Sequence, residues 1–453
     1  MNLANGREGH QAERSARTAA EAGWRVSRYL LSAKIPDSKN VAIYNTFKRT
    51  CGEYTPFDLY VMSALDEVPE SNPFIERLAR GGLIVRFDER EALEAKRRLE
   101  CSTALGGAVS VTICPTMACN FECPYCFASL GRGKMSPEVQ DDVVVLVGRM
   151  LDAARAKKLV ITWFGGEPLL ATDVIEALSP RLIALAEEQG CAYESWIFTN
   201  GYLITPQVVD TLERCRIGKV HIPLDGVGAT NDATRRLRGG GPTFNRIVEN
   251  LGLLKPPIKT LIRANTHEGN VAQLDDLKAV VLNRAAETGN RISFYVASLI
   301  DVSPRDEQNS PMAEYAFRGI EVSLRPETRH VPVGVDHACV GQNLWMVAID
   351  DAGYLYKCGG KLCGQPEFAY ATARDWDPAD PFATASSPDM LSRFLNTCTP
   401  DPGDKCYECV WLPLCGGACP QLRLFGKHRC PPYRYDPEAF VLAKHAKMVS
   451  RNG

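Results

Sequence analysis

Six short apolar segments recur between residues 108 and 300, separated by amphipathic segments, and this pattern restricts the possible fold more than any other feature. The six segments are 108–114, 158–164, 194–200, 219–225, 260–266 and 291–297. Each has the length and apolar content of a buried strand. After the first, Ser136 followed by Pro137 is a typical helix start, with the helix running towards Lys157. Six strand–helix repeats predict an α/β fold in which a parallel sheet curls into a partial (β/α)6 TIM-like barrel.

Functional side chains of such a barrel gather on the loops that follow the carboxyl ends of the strands. Three motifs fall there in this sequence. A cysteine loop, CNFECPYCF at 119–127, follows the first segment, GGEP at 165–168 follows the second, and TNG at 199–201 ends the third. The sequence therefore predicts that these three loops face one another across one site.

Residues outside the barrel pattern suggest four further regions. Residues 1–22 are polar and rich in Ala, Arg and Glu, which is typical of a flexible tail. Residues 23–105 mix short strands and helices, with a helix stopped at Gly81-Gly82, and favour a winged-helix-like unit. With 106–300 as the barrel, residues 301–335 form a linker and helix, and 336–453 form a cysteine-rich domain.

Composition narrows the functional classes. A net charge of −2 over 453 residues gives no reason to expect a nucleic-acid partner, and no apolar run approaches the ~18 residues of a membrane span. The N-terminus lacks the apolar core of a signal peptide, so a cytoplasmic location is expected. Seventeen cysteines are unusual there, because a reducing compartment disfavours disulfides, and they indicate metal or redox chemistry.

The cysteine loop supplies three thiols, Cys119, Cys123 and Cys126, in a CxxxCxxC spacing. Structural zinc sites usually have four protein ligands, and no fourth cysteine or histidine follows at short zinc-finger spacing. A 4Fe–4S cluster held by three cysteines leaves one iron open to a small molecule, and the spacing favours this interpretation.

CxxxCxxC followed by an aromatic residue, on the first βα loop of a six-strand pattern, resembles the radical S-adenosylmethionine (radical SAM) superfamily. The resemblance implies that the open iron binds S-adenosylmethionine, whose reductive cleavage gives a 5′-deoxyadenosyl radical that abstracts hydrogen from a substrate. Cofactor-binding residues are implied at matching positions: Gly165, Gly166, Glu167, Pro168, Thr199, Asn200, Asp225 and Arg263. Glu167 is expected near the cofactor's ammonium and Arg263 near its carboxylate.

The remaining clustered cysteines are similar to the SPASM extension of radical enzymes, which carries two auxiliary 4Fe–4S clusters. The resemblance assigns the second auxiliary cluster to Cys406, Cys409, Cys415 and Cys430. It assigns the first to Cys339, Cys358 and Cys419, with Cys363 completing the set or one iron left open. A pair of zinc knuckles is the alternative, although iron fits better beside the Cys119 loop. Scattered cysteines such as Cys114 are expected to be buried apolar side chains.

SPASM enzymes act mostly on peptides, so the resemblance implies a peptide maturase. Its expected partner is a ribosomal precursor peptide, whose leader the N-terminal unit would bind as an added strand. Hydrogen abstraction would install a C–C or thioether crosslink, with flavodoxin or ferredoxin as electron donor. The alternatives are a sulfatase-maturating type enzyme, which oxidises Cys or Ser to formylglycine, and a non-enzymatic iron–sulfur carrier.

The sequence leaves the catalytic base open. Asp225 and Asp232 are candidates because they lie near a strand end, where a carboxylate can take a proton from the product. His221 lies within a strand and is expected to be a satisfied core residue.

Overall fold

The computed structural model describes residues 18–86, 91–104, 107–126, 128–131, 133–266, 269–298, 341, 343–359, 363–396, 400–417, 419–424, 430, 434 and 436–452. The chain folds as two compact units. The first contains Met1–Arg97, Gly403–Leu414 and Tyr433–Gly453, and the second contains Arg98–Pro402 and Cys415–Pro432.

The first unit combines short antiparallel strands with helices. Its elements are β1 (Trp24–Val26), β2 (Leu30–Lys34), β3 (Val41–Asn45), β4 (Thr50–Tyr54), α1 (Pro56–Ser63), α2 (Pro73–Gly81), β5 (Ile84–Arg86), the start of α3 (Glu91–Ala104) and the C-terminal helix Pro437–Asn452. Strands β2, β3 and β4 form one antiparallel sheet, and β1 pairs with β5. The predicted helix stop is present, because Gly82 follows α2 in the left-handed region at φ 74°. That this unit is a winged-helix-like peptide-recognition element remains a prediction.

Two predicted domain boundaries differ from the structure. Residues 18–22, placed in the flexible tail, are packed: Ala19 is completely buried and its N–H donates to the Val68 carbonyl over 2.6 Å. Residues 1–17 lie outside the described part of the chain. Near the C-terminus, the first unit also includes residues 403–414 and the C-terminal helix. In this unit the Phe440 ring lies edge-on against the Tyr44 ring, with centroids 5.4 Å apart. The predicted 336–453 domain is therefore divided between the units, since apolar residues near the C-terminus pack on the N-terminal sheet.

The second unit alternates strands and helices. Its strands are β6 (Ala108–Ile113), β7 (Lys158–Trp163), β8 (Ala192–Phe198), β9 (Ile217–Pro223), β10 (Lys259–Thr266), β11 (Arg291–Ser298), β12 (Met346–Ile349), β13 (Tyr354–Tyr356) and β14 (Ala371–Thr372). Its helices are α4 (Pro137–Ala154), α5 (Thr172–Glu188), α6 (Pro206–Arg214), α7 (Ala229–Thr234), α8 (Phe244–Leu251), α9 (Leu274–Thr288), α10 (Pro388–Asn396), α11 (Leu412–Cys415) and α12 (Pro420–Leu424). α11 begins in the first unit.

Strands β6 to β11 lie side by side in chain order, and every neighbouring pair is parallel. This confirms the predicted α/β fold with a mainly parallel sheet, and the arrangement is consistent with a partial barrel. Successive side chains of a strand point to opposite faces of the sheet. In β7, Leu159, Ile161 and Trp163 on one face are completely buried, and the residues between them, on the other face, are half-buried.

The predicted helix between the first two strands is present as α4. The Ser136 hydroxyl accepts from the Val139 N–H, and Pro137 occupies the first turn. Buried Val143, Leu146 and Met150 give α4 the apolar side that joins the core cluster of the sheet.

Three further strands extend the sheet beyond β6. β12 pairs with β6 in parallel, and β13 and β14 follow in antiparallel register. The predicted linker and helix at 301–335 lie outside the described residues. Within the described part of the chain, no helix is both long and apolar enough to cross a membrane.

Candidate active site

A cavity of about 340 Å³ opens where the parallel strands end. Its wall includes the cysteines of the 119–126 loop, both glycines of GGEP, and Thr199 and Asn200 from the third loop. The structure therefore brings together the three motifs that the sequence placed on neighbouring strand ends. Arg263 of β10 also lines this cavity.

The cysteine loop presents its thiols to the cavity at different depths. Cys119 and Cys123 are partly buried, whereas Cys126 is exposed. Burial raises the pKa of the Cys119 thiol to about 12 and that of Cys123 to about 11. Because a metal binds the thiolate, assembly of a metal centre on these cysteines would release protons.

The GGEP loop is pressed against the segment that leads into the cysteine loop. The Glu167 N–H donates to the Ala118 carbonyl over 2.8 Å. Gly165 has φ 111°, and a Cβ there would lie 2.3 Å from the Thr116 carbonyl oxygen. A Cβ at Gly166 would lie 2.2 Å from the Ala118 carbonyl oxygen. Only glycine permits this approach, which fixes the two loops together.

The Glu167 carboxylate is completely buried and joins the second and third loops. Oε1 accepts from the Thr199 hydroxyl at 2.7 Å and from the Leu169 N–H at 3.0 Å, and Oε2 accepts from the Asn200 N–H at 2.7 Å. Burial raises the pKa of Glu167 to about 7, while the hydrogen bonds from Asn200, Thr199 and Leu169 act in the opposite direction. Its contacts thus support the loops around the cavity, and the expected contact with an ammonium remains a prediction.

The third loop in turn contacts the cysteine loop. The Asn200 side-chain amide donates to the Asn120 side-chain carbonyl over 2.7 Å. All three loops are therefore linked by hydrogen bonds, as a rigid site on strand ends requires.

A buried ionic group lies beside the cysteine loop. Asp225 is completely buried, with a carboxylate oxygen 3.0 Å from Arg235 Nε. It also accepts from the Tyr125 hydroxyl and, over 3.1 Å, from the Asn265 N–H. Since Tyr125 stands next to Cys126, this group positions the cysteine loop. Sequence reasoning missed Tyr125, Arg235 and Asn265 in this role.

These contacts bear on the two candidate bases. Asp225 is surrounded by hydrogen-bond donors, and Asp232 accepts from the backbone N–H groups of Thr243 and Phe244, both at 2.8 Å, where α8 begins. Both arrangements favour structural roles. A catalytic role for either residue remains a prediction.

Among the described residues that line the cavity, His221 and Arg263 have polar side-chain atoms without such anchoring. Both ring nitrogens of His221 and Nε of Arg263 are buried and make no hydrogen bond with any described residue. His221 was expected to be a satisfied core residue; it is buried, but it is not satisfied.

The C-terminal cysteines are partly described. Cys339 lies outside the described residues. Cys363 is completely buried in an apolar cluster with Cys114, against which Cys358 packs. A hydrogen bond with Cys114 and burial hold the pKa of the Cys363 thiol well above its usual range. Cys114 is buried in an apolar cluster, as the sequence predicted, and it contacts Cys363, a predicted ligand. Sequence reasoning did not predict that contact.

The other predicted ligands are distributed between the units. Cys406 and Cys409 belong to the first unit, and Cys415, Cys419 and Cys430 to the second. Among the described residues, no three His, Cys, Asp or Glu side chains are close enough to hold a single metal ion. Ligands of an iron–sulfur cluster bind different irons and are farther apart, so the assignments to the auxiliary clusters remain predictions.

Comparison with known proteins identifies this arrangement. The family model described as Radical SAM superfamily matches residues 113–266, from the end of β6 to the end of β10. The Fe-coproporphyrin III synthase of Methanosarcina barkeri is 30% identical over 337 residues, which cover 67% of this chain and 80% of that protein. The chain belongs to the radical SAM superfamily.

Further relatives agree with this assignment. Mycofactocin maturase MftC of Mycobacterium tuberculosis is 27% identical over 267 residues, which cover 54% of this chain and 62% of that protein. A structure described as native anSMEcpe with bound AdoMet and Kp18Cys peptide has a TM-score of 0.56 and 18% identity, covering 76% of this chain and 98% of that one. The sequence-based resemblance to the radical SAM superfamily is confirmed. This radical SAM protein is an enzyme, and its superfamily implies S-adenosylmethionine and a 4Fe–4S cluster as cofactors.

The cavity fits these two groups. Three thiols line the cavity, with no fourth among its described lining residues, and the backbones of Gly165 and Gly166 form part of the same wall. Nε of Arg263 is also buried and donates to no acceptor among the described residues. Soft ligands suit iron, and an unpaired guanidinium suits a carboxylate.

Proposed function

We propose that this radical SAM enzyme is a maturase of a ribosomally made peptide and that it installs a C–C or thioether crosslink. The observation that carries the proposal is the single cavity that joins the CxxxCxxC loop to the GGEP loop. The relative named mycofactocin maturase supports maturation as the activity.

The chain's own residues would divide the work as follows. Cys119, Cys123 and Cys126 would hold the cluster, and Arg263 would bind the carboxylate of S-adenosylmethionine. Together these cofactors supply a reactive radical by one-electron reduction. Glu167 keeps the second and third loops in place through its three hydrogen bonds.

Loss of a second hydrogen from the peptide needs an acceptor for one electron and one proton. The auxiliary cysteines, including Cys358 and Cys363, would hold clusters that take the electron. A flavodoxin or ferredoxin would deliver electrons to the first cluster. The proton acceptor is not assigned, because Asp225 and Asp232 make structural contacts.

The first unit is the proposed binding site for a precursor leader. Strands β2 and β4 each pair on one side within the described sheet, so each has an edge to which an extended peptide can add. A precursor without its leader should then bind weakly although the cavity is intact.

A second candidate substrate follows from one relative. The Fe-coproporphyrin III synthase is a protein named for a tetrapyrrole, and its identity of 30% extends over 67% of this chain. A tetrapyrrole is therefore the competing substrate class.

Tandem mass spectrometry decides between these functions. Each short peptide encoded beside the gene is co-expressed anaerobically with the enzyme, and the purified enzyme is separately incubated with Fe-coproporphyrin III. Loss of two hydrogens with suppressed fragmentation between two residues supports the crosslinking maturase. A hydrazine-reactive aldehyde on Cys or Ser indicates the sulfatase-maturating type. A change in the tetrapyrrole alone contradicts the peptide proposal.

A further inference from the structure

His221 lies in the wall of the cavity, and its ring makes no hydrogen bond with any residue that the structure describes. It is 8% exposed, and its ring is stacked on Phe198 with centroids 4.2 Å apart. The Trp196 ring is also stacked on it, at 5.9 Å. Both nitrogens of this ring are buried and find no hydrogen-bond partner in the described part of the chain. Because an unsatisfied buried polar group destabilises the folded state, a purely structural position would favour an apolar residue.

Arg263 lies close to this imidazole on the neighbouring strand. In the parallel register of β9 and β10, His221 is opposite Leu261 and Pro223 is opposite Arg263. His221 and Arg263 are therefore two positions apart on the same side of the sheet, and both line the cavity. Their side chains can contact one bound group together.

The imidazole is neutral in this setting. Burial and the nearby charges of Lys219 and Arg263 lower the pKa of His221 to about 4. A neutral imidazole offers one N–H donor and one acceptor nitrogen. It therefore contributes a directional hydrogen bond, while the adjacent charge comes from Arg263.

The charge around the cavity favours an anion. The described lining includes no Asp or Glu side chain. Its other arginine, Arg235, is paired with Asp225 at 3.0 Å, whereas Arg263 has no ion pair with any residue that the structure describes. An unpaired guanidinium beside an N–H donor suits a carboxylate, which accepts from both.

We propose that His221 and Arg263 form a carboxylate subsite, in which a ring N–H of His221 donates to one oxygen and Arg263 binds the other. The inference rests on the proposed function, because it places His221 in the cofactor- and substrate-binding cavity. The carboxylate belongs either to S-adenosylmethionine or to the substrate. The directional hydrogen bond from His221 fixes the orientation of this carboxylate.

The test measures binding to the full-length, anaerobically reconstituted protein by the EPR spectrum of its reduced clusters. His221→Phe keeps a flat ring against the aromatic neighbours Phe198 and Trp196 but has no ring nitrogen, and His221→Gln restores a donor. Trp196→Phe is the matched control, because it changes the same stack without removing a group from the cavity wall. His221→Leu is the second variant should the phenylalanine variant lose its clusters.

Two pairs of probes separate the two sources of the carboxylate. S-adenosylmethionine is compared with its decarboxylated analogue, and propionate is compared with propionamide on the cofactor-loaded protein. His221→Phe should raise the Kd of one carboxylate probe about 2- to 10-fold, the effect of losing one hydrogen bond, without changing the Kd of the counterpart that lacks the carboxylate. His221→Gln should restore most of the affinity.

Each outcome decides the proposal. A selective loss for S-adenosylmethionine assigns the subsite to the cofactor, and a selective loss for propionate assigns it to the substrate. Equal losses for both members of each pair, or no change in any Kd, overturn it. If the wild-type protein binds S-adenosylmethionine in this way but modifies no peptide, the proposed function fails while the carboxylate subsite stands.

Discussion

Single residues in and around the cavity differ in how completely the chain supplies their hydrogen-bond and ionic partners. Glu167 accepts three hydrogen bonds, and Asp225 is paired with Arg235, so both are held by the fold itself. The cysteines and Arg263 point into the cavity and need a bound group. This contrast separates residues that build the site from residues that hold cofactors.

Cys126→Ser should abolish the EPR signal of the cluster in the cavity and lower the iron content of the purified protein. A serine hydroxyl is a poor ligand for iron where a soft thiolate is required. Cys101→Ser is the control, because Cys101 is also exposed but lies on α3. Retention of the full signal by the Cys126 variant would contradict the assignment of this thiol.

Glu167→Gln should lower the Tm. Both oxygens of the carboxylate accept hydrogen bonds, so the NH2 group of glutamine would face another donor, and the free energy of unfolding should fall by about 1–3 kcal/mol. The pKa of Glu167 rises to about 7 in the folded protein from an ordinary 4.5, so the folded state binds more protons between these values. The stability that this group contributes is complete below about pH 4.5 and is lost as the pH rises through 7.

Thermal unfolding of both proteins from pH 5 to pH 8 checks this sign. The wild-type Tm should fall relative to that of the glutamine variant, so the gap narrows as pH rises. A gap that widens would mean that hydrogen bonding outweighs burial at this carboxyl.

At the scale of elements, close backbone contact between the GGEP loop and the segment before the cysteine loop shapes the cavity. Gly165 marks this contact, with φ 111° and the Thr116 carbonyl oxygen 2.3 Å from where a Cβ would be. A side chain there has to displace the loop that carries the cysteines.

Gly165→Ala should weaken S-adenosylmethionine binding at least tenfold and reduce cluster loading, since both loops move apart. Gly190→Ala provides the comparison: Gly190 also has positive φ, at 64°, but no described residue other than its chain neighbours has an atom within 4 Å of its Cβ position. The Gly190 variant should lose only stability, by about 1–2 kcal/mol. Equal binding by both variants would show that the close approach is unimportant.

Ser136→Ala tests the local origin of α4. Loss of the hydrogen bond to the Val139 N–H should cost about 1 kcal/mol and lower the Tm by a few degrees. Ser63→Ala, which removes an exposed serine from the end of α1, should leave the Tm nearly unchanged. Equal Tm values for the Ser136 variant and the wild type would rule out a contribution of this cap.

For the whole molecule, the parallel strands and the motifs on the loops after them were predictable, because short apolar segments and local motifs are patterns of consecutive residues. The side-chain partners were not. Asp225 meets Tyr125, Arg235 and Asn265, which lie up to 100 residues away, and no local pattern encodes such contacts. The C-terminal helix was predictable as a helix, but not its packing on the N-terminal sheet, since that depends on Phe440 meeting Tyr44.

The proposed role of the first unit gives a prediction for the whole chain. A precursor peptide without its leader should remain unmodified, while the same enzyme still converts S-adenosylmethionine to 5′-deoxyadenosine. Mass spectrometry of the peptide and chromatography of the nucleoside follow both products in one reaction. Equal modification of the full-length and leaderless peptides would exclude leader binding as the role of this unit.

Deuterium transfer tests the central claim most directly. The reconstituted enzyme is incubated with S-adenosylmethionine, dithionite and a fully deuterated precursor peptide, and the mass of the 5′-deoxyadenosine is measured. A radical maturase predicts nucleoside that has gained one deuterium, together with a peptide that has lost two. Unlabelled 5′-deoxyadenosine beside an unchanged peptide would contradict the claim that the peptide is the target of the radical.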